Sequence, residues 1–234
     1  MIKYTPFLLL GIACSDVKSS GINTNGMYAE ISAVVQPTNQ TKVDVVLRVG
    51  DANSSTFIEL EGGDTISASD GATTEELSHS SFGVIHSYSK FFDTTEEGTE
   101  FTINFRREWE TSAPSSIATL PSGFTILLPT LNASITAGED VAIQWEGSGE
   151  DTEMMMIEVN GTCIFGITQE VPFNDNTHTL MASDFESIGS DETNQGCELD
   201  LVMQRQKEGT LDPAYGAGKI FGGVIQSQTI QYNP

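Results

Sequence analysis

Apolar and polar residues alternate with a period of two along most of the chain after residue 26. Apolar residues occupy every odd position over 29–35 and again over 43–49. The segment 36–40 between these runs contains Pro37 and Asn39, which are typical of a turn. Alternation of this kind is expected of a strand with one buried face, so the two runs predict a β-hairpin.

Further short runs of the same kind predict more strands, and no stretch shows a sustained helical period. They lie near residues 56–60, 65–69, 82–88, 101–107, 124–128, 141–145, 155–163, 197–203 and 219–232. Segments rich in Gly, Asp and Asn separate them. Many short strands at this spacing predict an all-β chain built from sandwiches or barrels.

A connection between two domains is predicted over residues 111–123, which contain Pro114 and Pro121. The chain of 234 residues suits two small domains. We therefore expect two tandem antiparallel β-sandwich domains, one over residues 26–120 and the other over residues 123–234.

The N-terminus has the pattern of a secretory signal peptide over residues 1–13. Lys3 is followed by an uncharged run that ends at Ala13, and this run is too short to span a bilayer as a helix. A buried N-terminal strand or helix is the alternative.

The residues Gly11-Ile12-Ala13-Cys14 resemble the lipobox of bacterial lipoproteins. The resemblance implies that Cys14 is acylated, with palmitate among the acyl chains, and becomes the first residue of the mature chain. Ser15 follows the cysteine, and by the same resemblance this implies the outer membrane of a Gram-negative cell envelope. Residues 14–25 are then expected to be a flexible lipidated tether. Ordinary signal peptidase cleavage after Ala13 is the alternative.

Cys163 and Cys197 both fall in register with the apolar faces of predicted strands. Export places them in an oxidising compartment, so we predict a disulfide that stabilises the chain by about 3–4 kcal/mol. Two unpaired buried thiols are the alternative. The disulfide leaves Cys14 as the odd cysteine, and acylation accounts for it.

With Trp145, the disulfide and alternating strands, the second domain resembles an immunoglobulin-like domain, although Trp145 precedes both cysteines. The segment KEGTLDPAYGAGKIFGGVIQSQTIQY, residues 207–232, resembles the C-terminal part of uncharacterised proteobacterial exported proteins. That resemblance implies no particular activity.

The formal net charge of −23 argues against nucleic-acid binding and against tight contact with anionic lipid. The acidity indicates either solubility or binding of a divalent cation. The weak calcium candidates are loop residues Asp51, Asp93, Asp175 and Asp184, none of them within an EF-hand pattern. We predict no cofactor, with calcium as the alternative.

Catalytic patterns are sparse, and we assign no catalytic residue. The three histidines have no i, i+4 pair, and no Gly-x-Ser-x-Gly sequence occurs. We predict a non-enzymatic binding, adhesion or structural module with an envelope protein or glycan as partner. Exposed aromatic residues on one face would favour a glycan, and the candidates are Tyr88, Phe91, Phe92 and Tyr215. The alternatives are a calcium-dependent adhesion module and an exported hydrolase that uses His86 or His178.

Overall fold

The computed structural model describes residues 15–186, 188 and 196–233, most of which lie in strands. Within these ranges the helical segments are single 3₁₀ turns, at Ser19–Gly21, Thr24–Gly26, Phe173–Asp175 and Ala182–Asp184. The strands form two β-sandwiches of the immunoglobulin-like type, which confirms the predicted all-β fold class.

The first sandwich contains ten of the described strands from the first half of the chain. They are β1 Ser15–Lys18, β2 Met27–Val35, β3 Thr41–Val49, β4 Thr56–Glu59, β5 Thr65–Ser69, β6 Thr74–Glu76, β7 Ser78–Phe82, β8 Ile85–Phe92, β9 Glu100–Arg106 and β10 Ala113–Thr119. One sheet has the order β1-β4-β3-β2, with β8 also beside β3 and β7 beyond β8; the other has the order β10-β9-β5-β6. Ile31, Val45 and Phe101 lie fully buried between the two sheets.

The second sandwich contains the remaining described strands. They are β11 Thr125–Leu128, β12 Ser134–Thr136, β13 Val141–Glu146, β14 Met154–Gly161, β15 Ile167–Pro172, β16 Thr177–Leu180, β17 Cys197–Glu208 and β18 Ala217–Asn233. One sheet has the order β18-β17-β14-β15 with β12 beside β18, and the other has the order β11-β13-β16. Trp145 and Met203 are buried in this core, and Cys163 and Cys197 form the predicted disulfide at its edge.

The predicted hairpin over 29–49 is present as β2 and β3, with Ile31 opposite Val45. The single strand predicted over 82–88 is wrong, because the chain turns at Gly83 and Val84 between β7 and β8. Most pairings are antiparallel, but β1–β4, β2–β18 and β12–β18 are parallel.

Strand β18 belongs to both sandwiches. Its first half, through Val224, pairs in parallel with β2, and the stretch that ends at Tyr232 pairs antiparallel with β17. Ile220 accordingly lies in the first core and Ile230 in the second. The structure thus differs from the predicted second domain over 123–234, because alternation identifies a strand without indicating which sheet it joins.

The segment that precedes β2 is packed against the first sandwich. Ser19 and Thr24 are buried, and β1 pairs with β4. Arg107 donates hydrogen bonds to the carbonyl oxygens of Ser19 and Ile22, at 2.7 and 3.0 Å. From residue 15 onward the structure therefore differs from the flexible tether predicted over 14–25.

The predicted signal peptide, residues 1–13, and Cys14 lie outside the described residues. Within the part of the chain that the structure describes, no helix has the length and apolar character needed to cross a bilayer.

Strand directions define two ends of the first sandwich. At one end, Met27 of β2 lies opposite Val49 of β3. The preceding residue of β3, Arg48, lies opposite Phe57 of β4. Ser15 of β1 lies beside Thr56, the residue that precedes Phe57. We call this end the N-terminal end. β2 and β18 both run away from it, and β18 continues beyond β2 into the second sandwich. The second sandwich therefore lies beyond the opposite end, which we call the junction.

A buried arginine fixes the chain at the junction. Arg205 pairs with the buried carboxylate of Glu153 and lies 4.0 Å from the ring centre of Phe173. Its guanidinium also donates hydrogen bonds of 2.8 Å to the carbonyl oxygens of Ser122 and Ser148. The connection near residue 122 is thereby held against the second sandwich.

Candidate functional site

The β7–β8 hairpin combines ionisable side chains, an adjoining cleft and exposed apolar residues. Gly83 in its turn has a φ of +62°, which residues with a Cβ atom rarely adopt. Opposite residues share a face, so His86 and Tyr88 are buried toward the sandwich while Phe82 and Ile85 point to solvent.

The inward face carries a chain of polar contacts. Nε2 of His79 lies 2.9 Å from Nδ1 of His86, so one of these two nitrogens carries a proton that the other accepts. Nε2 of His86 lies 4.0 Å from a carboxylate oxygen of Glu59, which also forms an ion pair with Lys18. The hydroxyl of Tyr88 accepts a hydrogen bond of 2.7 Å from the backbone N–H of Leu60.

The electrostatics of this cluster set the charge states of Glu59 and Tyr88. The hydrogen bond from Lys18 lowers the pKa of Glu59 and outweighs the opposing effect of desolvation. Burial raises the pKa of Tyr88. At neutral pH, Glu59 is therefore an anion that has no proton to donate, and Tyr88 stays neutral.

A cleft of about 410 Å³ adjoins the hairpin. Residues that line it include Leu60, Asp64, Glu76, Leu77, His79 and Tyr88. The carboxylate of Asp64 accepts hydrogen bonds of 2.8 Å from Nε of Arg107 and 2.9 Å from the N–H of Glu108. Asp64 therefore acts in holding loops together.

The two histidines of the hydrolase alternative occupy different environments. His86 is buried behind His79, and it is His79 that lines the cleft. His178 contacts the side-chain oxygen of Gln169, whose amide group donates to Asp184. The geometry thus gives no support to an exported hydrolase based on His86 or His178.

The four calcium candidates lie in separate loops, and three of them accept hydrogen bonds within the fold. Asp51 accepts a hydrogen bond from the N–H of Asn53, and Asp93 accepts one from the side chain of Gln40. Asp184 accepts one from the N–H of Met181, while Asp175 lies in the 3₁₀ turn Phe173–Asp175. Among the residues that the structure describes, no three His, Cys, Asp or Glu side chains are grouped to hold a metal ion.

One carboxyl group of the first sandwich with a strongly lowered pKa, that of Asp70, was missed by sequence reasoning. The hydroxyl of Thr94 and the backbone N–H groups of Thr73 and Ala72 donate hydrogen bonds to Asp70, and they lower its pKa to about 2. Asp70-Gly71 is a pair of residues typical of a turn, but the contact with Thr94 joins two distant loops. Asp70 is a structural anion.

The expected glycan-facing aromatic residues are mostly internal. Tyr88, Phe92 and Tyr215 are buried, and only Phe91 of that set is half exposed. That prediction is wrong for the three buried residues. Strand alternation directs Tyr88 and Phe92 into the core, and Tyr215, in the turn before β18, stacks on the ring of Phe105. Among the aromatic residues that the structure describes, the most exposed are instead Phe82 and Trp109, at 86% and 81% of their full accessibility.

Comparisons with known proteins give only distant similarities. No family model and no curated protein matches the chain. Among solved structures, the fibronectin(III)-like modules of Clostridium thermocellum CbhA match 88% of this chain and 90% of their own, with 8% identity and a TM-score of 0.27. The titin domains Z1Z2 in complex with telethonin match 91% of this chain and 98% of their own, with 10% identity and a TM-score of 0.25. The Yersinia pseudotuberculosis adhesin InvE matches 91% of this chain over 60% of its own, with 10% identity and a TM-score of 0.25.

Proposed function

We propose that this chain is a non-enzymatic lipoprotein of the Gram-negative cell envelope, anchored in the outer membrane through acylated Cys14. It serves as a binding, adhesion or structural module that holds its second sandwich away from the membrane. Its partner is an envelope protein or glycan.

The N-terminal residues support the anchor. The lipobox-like residues end at Cys14, and β1 begins at the next residue, Ser15. Since residues 17–26 are packed on the first sandwich, an acylated Cys14 joins the folded body without a long spacer. The anchor then fixes which end of the protein is nearest the bilayer.

The single observation that carries the proposal is the course of β18. This strand of 17 residues starts at the N-terminal end and finishes in the second sandwich, a length of about 55 Å. Because its backbone is hydrogen-bonded in both sandwiches, the two sandwiches form one continuous body and are not joined by a flexible linker. A body of this kind is suited to hold a binding surface at a fixed distance from the bilayer.

The far end of the second sandwich is the surface that this arrangement presents. Phe165 and Ile188 are 56% and 51% exposed there, close to Cys163. Exposed apolar residues held on a rigid support are suited to contact with a protein or glycan partner. The separated loop aspartates do not favour the calcium-dependent alternative.

The test is the intact mass of the full-length chain, expressed in a Gram-negative host and extracted from outer-membrane fractions. We expect a mature chain that starts at Cys14 with acyl chains attached, and a mass gain of two hydrogens on reduction of Cys163–Cys197. The Cys14→Ala variant serves as the control and should lack the acyl mass. A periplasmic chain that starts at unmodified Cys14, or an uncleaved chain with three thiols, would contradict the proposal.

A further inference from the structure

We infer that the N-terminal end of the first sandwich is a bilayer-contacting surface, at which Phe82, Ile85 and Trp109 enter the headgroup region beside Cys14. The inference rests on the proposed lipid anchor and adds the face of the protein that the bilayer covers. We call these three residues the apolar rim.

Each residue of the apolar rim projects from the tip of a loop. Phe82 and Ile85 flank the two-residue turn of the β7–β8 hairpin and are 86% and 43% exposed. Trp109 lies between β9 and β10 and is 81% exposed. Aromatic and aliphatic side chains in such positions stay hydrated in water, and an interface that removes that water stabilises them.

Strand register places the hairpin tip at the N-terminal end. Tyr88 lies opposite Val45, and β8 runs antiparallel to β3. Ile85 is therefore three residues nearer to the N-terminal end than Tyr88, and its neighbour His86 lies 4.0 Å from Glu59 of β4. Ser15 pairs with Thr56 at the start of that same strand.

Hydrogen bonds place Trp109 at the same end. The hydroxyl of Thr24 donates to the carbonyl oxygen of Thr111, and Arg107 donates to the carbonyl oxygen of Ile22. Residues 22–26 lead directly into β2 at its N-terminal end. The loop that carries Trp109 thus lies beside the start of β2.

The position of Cys14 identifies a bilayer as the occupant. Consecutive Cα atoms are about 3.8 Å apart, so an acyl chain on Cys14 begins one residue from β1. Acyl chains buried in the membrane would draw this end to the headgroups, where Trp and other aromatic residues are favoured.

Local charge indicates the kind of lipid. No acidic residue occurs between Leu77 and Phe92, although the chain has 33 Asp and Glu residues in all. The outward face of the hairpin carries Ser78, Ser80, Ser87 and Ser89 beside its apolar tip. Glu108 and Glu110 flank Trp109, so the surface suits zwitterionic headgroups and disfavours anionic ones.

The experiment uses Trp109 as the probe. Acylated protein is reconstituted into phosphatidylcholine vesicles with and without brominated acyl chains, which quench tryptophan at the bilayer surface. The other tryptophan, Trp145, is buried in the second sandwich, and the Trp109→Phe variant measures its background. We expect quenching and a blue shift of the Trp109 emission, both reduced in the Phe82→Ser/Ile85→Ser variant.

Phe165→Ser is the matched control, because Phe165 is an exposed phenylalanine at the far end, and it should leave the quenching unchanged. Trp109 emission that brominated lipid does not alter would overturn the inference. Sedimentation of a dimer that the hairpin variant dissociates without lipid would also overturn it, in favour of a second copy of the chain as the occupant.

A second way of attaching the protein to the bilayer distinguishes failure of the proposed acylation from failure of the proposed contact between the apolar rim and the bilayer. If the mass shows no acyl chain, the free thiol of mature Cys14 is coupled to a maleimide phospholipid, since Cys163 and Cys197 are joined in a disulfide. Quenching in the coupled protein would support the contact although the proposed acylation had failed. Its absence would refute the contact.

Discussion

Buried polar side chains in this molecule contact groups that lie far away in sequence. Arg107 joins the segment before β2 to Asp64, and Arg205 joins the connection near Ser122 to Glu153. Each guanidinium also lies over a phenylalanine ring of its own sandwich. Burying these charges is tolerable because the guanidinium groups form charge-assisted hydrogen bonds and cation–π contacts. Nothing in the spacing of the residues indicates these pairs.

Asp70 gives a pH-dependent prediction at this scale. Its pKa is lowered from 3.8 to about 2 in the folded chain, chiefly by the hydroxyl of Thr94. A carboxyl group with a lowered folded-state pKa stabilises the fold fully above its unfolded-state value, and this contribution is lost as the pH falls through the folded-state value. Urea unfolding should therefore show that Asp70→Asn is less stable than the wild type near neutral pH.

The difference between the two proteins should diminish as the pH falls from about 4 to about 2, where Asp70 itself becomes protonated. Thr94→Val removes the largest cause of the lowered pKa, so an NMR titration of its Asp70 carboxyl should give a higher midpoint than the wild type. Parallel stability curves for wild type and Asp70→Asn at every pH would contradict this account.

At the scale of elements, the local sequence pattern predicted where the strands lie better than it predicted which strands pair with each other. The β2–β3 hairpin followed from two alternating runs and a short turn, because both partners lie within one local segment. The parallel pairing of β18 with β2 joins residues almost two hundred positions apart, and alternation gives no information about such partners. The exposed tip at Phe82 was missed for a similar reason, since one run concealed the turn at Gly83.

Substitution of Arg205 tests how strongly the stability of one element, the connection at the junction, depends on a buried ion pair. Arg205→Met leaves the Glu153 carboxylate buried without its cation, which should lower the free energy of unfolding by about 3–5 kcal/mol. The double variant Arg205→Met/Glu153→Leu removes both charges and should regain most of that loss. Urea unfolding of the wild type, Arg205→Met, Glu153→Leu and the double variant measures the coupling between the two residues.

The matched control lies on the same strand. Lys207 pairs with Glu150 at 2.8 Å, but that glutamate side chain is 64% exposed. Lys207→Met should therefore cost no more than about 1 kcal/mol. Equal losses for Arg205→Met and Lys207→Met would show that the junction does not depend on the buried pair.

At the scale of the whole molecule, β18 makes the two sandwiches depend on each other. A strand with one half in each core cannot leave either sheet without exposing apolar residues of both. The proposed role requires this coupling, because an anchor at one end fixes the position of the far end only if the body between them is stiff. The apolar rim and the far-end surface then have fixed and opposite orientations.

Substitution of Gly222 tests this coupling directly, because this residue lies in the part of β18 that passes from the first sandwich to the second. A Cβ atom at position 222 would lie 1.9 Å from the carbonyl oxygen of Thr119, so Gly222→Ala must displace the end of β10. We expect a loss of about 1–3 kcal/mol from overpacking, shared by both sandwiches. Calorimetry should show one transition that moves to lower temperature as a unit, and hydrogen exchange should accelerate in both β2 and β14.

Gly21→Ala is the control, since no atom lies within 4 Å of its Cβ position, and it should leave the transition in place. Two separated transitions in Gly222→Ala, with β14 still protected, would mean that the sandwiches unfold independently and that β18 does not transmit the position of the anchor to the far end.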